Sequence, residues 1–120
     1  FGGGMRQVGI IAVAALYALD NNIDRLVEDH TNAQIIADAV SSNEFLKLDP
    51  ERIDTNIIFI KVDPSLGTAA QFTGALENEG VRALVLAADL VRMVTNLQVS
   101  QEAARQVADV IRRVGVDGIR

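Results

Sequence analysis

The sequence predicts an α+β fold, a small and mostly antiparallel sheet covered by helices in the order α-α-β-α-β-β-α. Three observations carry that prediction. An alanine-rich apolar run fills residues 8–19 without strand alternation. A β-branched run, "NIIFIKV", stands at 56–62, and two further short apolar runs at 81–86 and 90–95 are separated by "AAD". Aromatic residues make up only 4% of the chain and cysteine is absent, which favours close helix packing on one sheet over a sandwich or a disulfide framework.

Each element follows from its local chemistry. Ala12, Ala14, Ala15 and Ala18 give the first segment, residues 5–20, high helix propensity, and "DNN" at 20–22 ends it. The helix is apolar nearly all round, so it calls for cover on most sides. A second helix over 24–40 places Ile23, Leu26, Val27, Ala33, Ala37 and Val40 at helical spacing. His30 falls on the same stripe and reads as a packed, hydrogen-bonded histidine, whereas Glu28, Asp29 and Asn32 are expected to face away. Residues 41–43 and Asp49-Pro50 read as turns, with Lys47 between them. The run 56–62 reads as a buried strand. Residues 63–67 break the chain before a helix over 68–79 that turns Phe72 and Leu76 inward and closes on Gly80 at the C′ position. The strands at 81–86 and 90–95 form an antiparallel pair. Ser100 caps a last helix whose inner stripe is Ala104, Val107, Ala108, Ile111 and Val114.

Composition bounds the function. The 120 residues make one domain, and the formal charge of −5 with scattered basic residues argues against a nucleic-acid partner. The 8–19 run is too short to span a bilayer, so no membrane role is expected, and the lack of cysteine is compatible with a cytoplasmic setting. No second His or Cys accompanies His30, so no metal site is expected. Lys47 and Lys61 lack the context of a Schiff-base lysine. Gly2, Gly3 and Gly4 precede a helix, where free N–H groups can hold an anion. A flexible or close-packing glycine loop is the favoured reading of them, although Arg6, which suits phosphate geometry, shifts the balance toward an anion site. Arg92 stands in the strand at 90–95, where alternation puts Leu90, Arg92 and Val94 on one face and Val91, Met93 and Thr95 on the other. It is either a solvated edge residue or an arginine aimed at a carboxylate across a cleft.

The stretch "GGGMRQVGIIAVAALYALDNNIDRLVEDHTNA" resembles the low-specificity L-threonine aldolases, a pyridoxal-phosphate-dependent family of the fold-type I, aminotransferase-like class. The matching residues are Gly2 to Gln7, Arg25-Leu26, Glu28-Asp29-His30 and Asn32-Ala33. "TNIIFIKV" and "VRMVTNLQVS" follow in the family's order and spacing. The resemblance implies a C-terminal small domain over residues 1–120, with an interface helix leading into it. It places the pyridoxal 5′-phosphate domain upstream, together with the Schiff-base lysine, so no catalytic residue is expected in this chain.

The same resemblance implies cleavage of L-threonine or L-allo-threonine to glycine and acetaldehyde, in a homotetramer or homodimer. Arg6, Gly3 and Gly4 would then bind the cofactor, and Arg92 the substrate carboxylate. Asn96 stands where the family has histidine, and Gln98 where aspartate is common. Set against this is a non-catalytic α+β module that acts by association. On the aldolase reading, a polypeptide of these 120 residues releases no acetaldehyde from threonine even with added pyridoxal phosphate, since electron withdrawal needs the cofactor bound. An acetaldehyde assay on the purified polypeptide checks this, and sustained turnover would contradict it.

Overall fold

The computed structural model describes residues 4–117 and has the expected α+β architecture, with one additional strand. The helices are α1 (Gly9–Asn21), α2 (Leu26–Ser41), α3 (Ala69–Asn78) and α4 (Gln101–Asp117). The strands are β1 (Leu46–Leu48), β2 (Ile57–Val62), β3 (Leu84–Ala87) and β4 (Leu90–Val94). They form one antiparallel sheet in the order β1-β2-β4-β3. β1 falls where the sequence suggested turns, so Lys47 lies in an edge strand, paired with Lys61 of β2. Three residues are too few to give a readable alternation.

One core holds the sheet to three helices. Ile58, Ile60 and Val62 of β2, Val91 and Met93 of β4 and Leu46 of β1 meet Ala33, Ile36 and Val40 of α2. Phe72 and Leu76 of α3 and Ala104, Ala108 and Ile111 of α4 complete it. All these strand residues lie on the same side of the sheet. β2 is therefore not buried on both faces, as its β-branched run suggested: Ile57 and Lys61 are exposed and Phe59 is half-buried. Among the described residues the helices cover one face only.

Local chemistry sets the element ends. Thr68 caps α3 in a reciprocal box with Gln71: the Gln71 N–H donates to Thr68 Oγ1 at 3.2 Å, and the Thr68 N–H donates to Gln71 Oε1 at 2.9 Å. Just before it, the N–H and hydroxyl of Ser65 both donate to Asp63 Oδ1, at 2.8 and 2.6 Å, and hold that carboxyl below the usual aspartate value. At the far end Gly80, with φ +79°, closes a Schellman motif, with the Gly80 N–H donating to Glu77 O and the Val81 N–H to Leu76 O, each at 2.9 Å. That cap occupies the backbone of Val81, and β3 begins at Leu84 rather than at 81.

The polar interior is small and specific. Asn32 and Thr95 are the buried polar residues among the described residues, at 4% and 1% exposure. Asn32 Nδ2 donates to Val99 O at 2.8 Å, and Thr95 Oγ1 donates to Asp29 O at 2.6 Å. Asn56 Nδ2 reaches Thr95 O at 2.6 Å, and the Thr95 N–H returns to Asn56 O at 3.0 Å. These bonds fasten α2 to the end of β4 and to the turn that leads into α4. Asn32 thus faces inward, contrary to the sequence expectation, because the buried face of α2 is wide and meets a carbonyl at this point.

His30 departs from expectation the other way: it is exposed. It shares a helical line with Ala33 and Ala37, but the buried residues of α2 begin only at Asn32, so the first turns of the helix overhang the core. α1 buries none of its residues; Ile10 is 86% exposed and Leu16 58%. The cover its composition calls for is not supplied by the described part of the chain. The molecule is accordingly long, with a radius of gyration of 17.0 Å against about 13–14 Å for a compact chain of this size.

Asn32→Ala and Thr95→Val should each lower the free energy of unfolding by about 0.5–1.5 kcal/mol, since each removes a part-buried hydrogen bond that ties α2 to the end of β4 or to the turn after it. Urea denaturation midpoints check this. A shift no larger than that of an exposed control such as Gln34→Ala would show that the junction carries no stability.

Candidate functional site

The open face of the sheet is the candidate site. Within the four strands the charged residues are Lys47, Lys61 and Arg92, and all three project away from the helices. On a chain of net charge −5 this gathers cationic groups on one surface, where their fields add for an incoming anion. Asp89, in the β3–β4 turn, offsets part of it through a 3.8 Å contact with Lys61 Nζ.

Arg92 occupies the centre of that face. β4 lies between β2 and β3, and Arg92 is paired directly with Phe59 on one side and Leu84 on the other. Leu90 and Val94 follow along the strand on the same face, as alternation predicts. The residue is half-buried, and its Nε is buried with no hydrogen-bond partner. No carboxylate among the described residues lies within ion-pair distance of its guanidinium. A desolvated N–H of a guanidinium is costly to leave unmatched. The donor set left over is a planar fork, which matches a carboxylate at two points.

Other parts of the predicted site are more dispersed. Arg6 is exposed, in the non-helical stretch before α1, and pairs with no acid among the described residues. Gly4 is exposed, and a Cβ there would meet nothing within 4 Å. Gly3 lies outside the described residues. Asn96 shapes the turn after β4: its Oδ1 accepts from the Gln98 N–H at 2.9 Å, and its carbonyl from the Val99 N–H at 2.8 Å. Three surface clefts of about 460, 300 and 280 Å³ open beside α2 and the 97–101 turn, beside Gly80 and α4, and beside Lys47 and Lys61. None of these three is lined by Arg6 or Arg92.

A profile of beta-eliminating lyases matches residues 1–65, more than half of the sequence. The chain belongs to the beta-eliminating lyase family. It is 42% identical over 107 residues to the low specificity L-threonine aldolase of Escherichia coli (strain K12), an alignment that covers 89% of this chain and 30% of the relative. To the probable low-specificity L-threonine aldolase 2 of Arabidopsis thaliana it is 33% identical over 115 residues, covering 94% of this chain and 32% of the relative. A low-specificity L-threonine aldolase of Candida albicans is 35% identical over 69 residues, covering 53% and 18%. This lyase-family chain spans about a third of the length of the first two of these relatives.

For pyridoxal phosphate, the cofactor that the resemblance implies, Arg6 is a fitting donor among the described residues. Arg6 is a guanidinium with no ion-pair partner among them, the chemistry a phosphate monoester needs. The surroundings of Gly4 are open, and no phosphate cradle forms there among the described residues.

The sequence places Arg92 on the correct face but says nothing of Phe59 and Leu84 as its neighbours. Their only sequence signal is the alternation of β2 and β3, which needs the register to become a contact. Arg92→Met should leave the fold unharmed or stabilise it by about 0–2 kcal/mol in the absence of ligand, since it removes a desolvated unpaired donor and keeps apolar bulk. Thermal melts of both forms test this; a marked loss of stability would mean that Arg92 is a structural residue.

Proposed function

We propose that this chain is the C-terminal part of a pyridoxal-phosphate-dependent L-threonine aldolase, in which it supplies the clamp for the substrate carboxylate. The observation that carries the reading is Arg92, a half-buried arginine at the centre of an uncovered cationic sheet face, its Nε without a partner. The family membership and the aldolase relatives support the reaction class. The substrate is L-threonine or L-allo-threonine, split between Cα and Cβ to glycine and acetaldehyde. When bound, the cofactor supplies an electron sink for the carbanion left at Cα. Arg6 holds its phosphate.

The work of this chain is binding and orientation. Arg92 takes the α-carboxylate at two points and thereby fixes how the Cα substituents stand at the reacting centre. The apolar residues around it, Phe59, Leu84, Leu90 and Val94, lower the local dielectric and strengthen that ion pair. α2 buttresses the end of β4 and the 97–101 turn through the bonds of Thr95 to Asp29 O and of Asn32 to Val99 O. The exposed apolar surface of α1 faces the cofactor domain or a neighbouring subunit, in a homodimer or homotetramer.

The two arginines should therefore fail differently in the complete enzyme. Arg92→Ala should raise KM for threonine and cut kcat/KM by the equivalent of about 2–4 kcal/mol, and Arg92→Lys should restore only part of it. Arg6→Ala should weaken cofactor retention and be partly rescued by excess pyridoxal phosphate. Separate titrations of threonine and cofactor distinguish the two, and unchanged threonine kinetics in Arg92→Ala would overturn the reading.

A further inference from the structure

Resting on the carboxylate-clamp reading of Arg92, we infer that Phe59 is a positioning residue that holds the Arg92 guanidinium in the orientation that receives a carboxylate. Phe59 and Arg92 are direct partners across β2 and β4, and side chains at such positions stand on one face with Cβ atoms about 4.5–5.5 Å apart. Leu84 is the direct partner on the other side. No helix covers this face among the described residues, yet Arg92 Nε has lost solvent contact without gaining a polar one. The groups flanking Arg92 on this face are apolar, with Phe59 and Leu84 across the strands and Leu90 and Val94 along β4.

Phe59 is the only aromatic residue within the four strands. It is half-buried on a face where its neighbours Ile57 and Lys61 are exposed. A planar ring beside a planar guanidinium favours stacking, which leaves the in-plane N–H edge free to donate. An arginine on an open sheet face would otherwise sample many rotamers, and only some present the fork. Phe59 thus acts through Arg92 and need not touch the substrate. Leu84 closes the slot from the other strand and limits swing of the guanidinium toward β3.

The test uses the complete, cofactor-loaded enzyme. Glycine dissociation constants are read from the change in cofactor absorbance, and KM and kcat for threonine are measured, for Phe59→Leu, Phe59→Tyr, Arg92→Ala and the Phe59→Leu/Arg92→Ala pair. Phe59→Leu should weaken glycine binding and raise KM by about three- to thirtyfold, with kcat within about twofold of the parent. Phe59→Tyr, which keeps the ring, should stay close to the parent. In the Arg92→Ala background the Phe59→Leu change should have no further effect, because its route runs through the arginine.

Unchanged constants in Phe59→Leu, or a Phe59→Leu loss that adds in full to that of Arg92→Ala, would overturn the positioning role and leave the clamp standing. An Arg92→Ala enzyme with unaltered glycine and threonine constants would overturn the clamp, and the positioning role with it. If Phe59→Leu does not accumulate as folded protein, Phe59→Met carries the same comparison, with melting temperature as the fold control.

Discussion

An antiparallel sheet with helices on one side only must send every second side chain to the uncovered side, and this constraint organises the molecule. In β2 and β4 the core takes Ile58, Ile60, Val62, Val91 and Met93, which share one buried cluster with residues of three helices. The intervening positions, Ile57, Phe59, Lys61, Leu90, Arg92 and Val94, are left facing outward. A one-residue slip of β4 against β2 would exchange the two sets and bury Arg92 in the core, so the apolar alternation protects the register as firmly as it protects stability. The same packing that makes the fold therefore aims the arginine.

The second requirement is that β4 be held at its end. Thr95 and Asn32 do this with hydrogen bonds to the carbonyls of Asp29 and Val99. Buried polar groups of this kind stabilise only when satisfied, and both are. They bind α2, β4 and the start of α4 into one unit, and Ser100 then caps α4 through a 3.1 Å bond from the Ala103 N–H. The turn between them is shaped by Asn96, whose side chain accepts from the backbone two residues on. Asparagine at this position serves the backbone turn.

Two surfaces stand out for what they leave unmatched. α1 is apolar nearly all round and exposed along its length, and the overhanging start of α2 extends that surface through Leu26 and Val27. The open sheet face is of a different kind, with cations set among apolar residues and an arginine nitrogen lacking a partner. The first suits broad hydrophobic contact, the second recognition of a small anion. Broad apolar contact and anion recognition are thus what these two surfaces offer.

The sequence by itself determined the fold class, seven of the eight elements and the face on which Arg92 lies, because each depends on local periodicity or on a cap. Gly80 closing α3, the capping chemistry of Thr68 to Gln71 and the stripe of α4 are all short-range facts. The motif "GGGMRQ" and the later "VRMVTN" were enough to point to the family, since they lie in the sequence itself. Only the tertiary structure decided the rest. β1 exists because a three-residue edge can pair with β2, which no pattern of three residues announces. Asn32 is inside and His30 outside because the core ends partway along α2, and where a helix overhangs depends on what it packs against. The company of Arg92 was decided in the same way: Phe59 and Leu84 come from strands 33 and 8 positions away in the chain, and only the register of the assembled sheet makes them its neighbours.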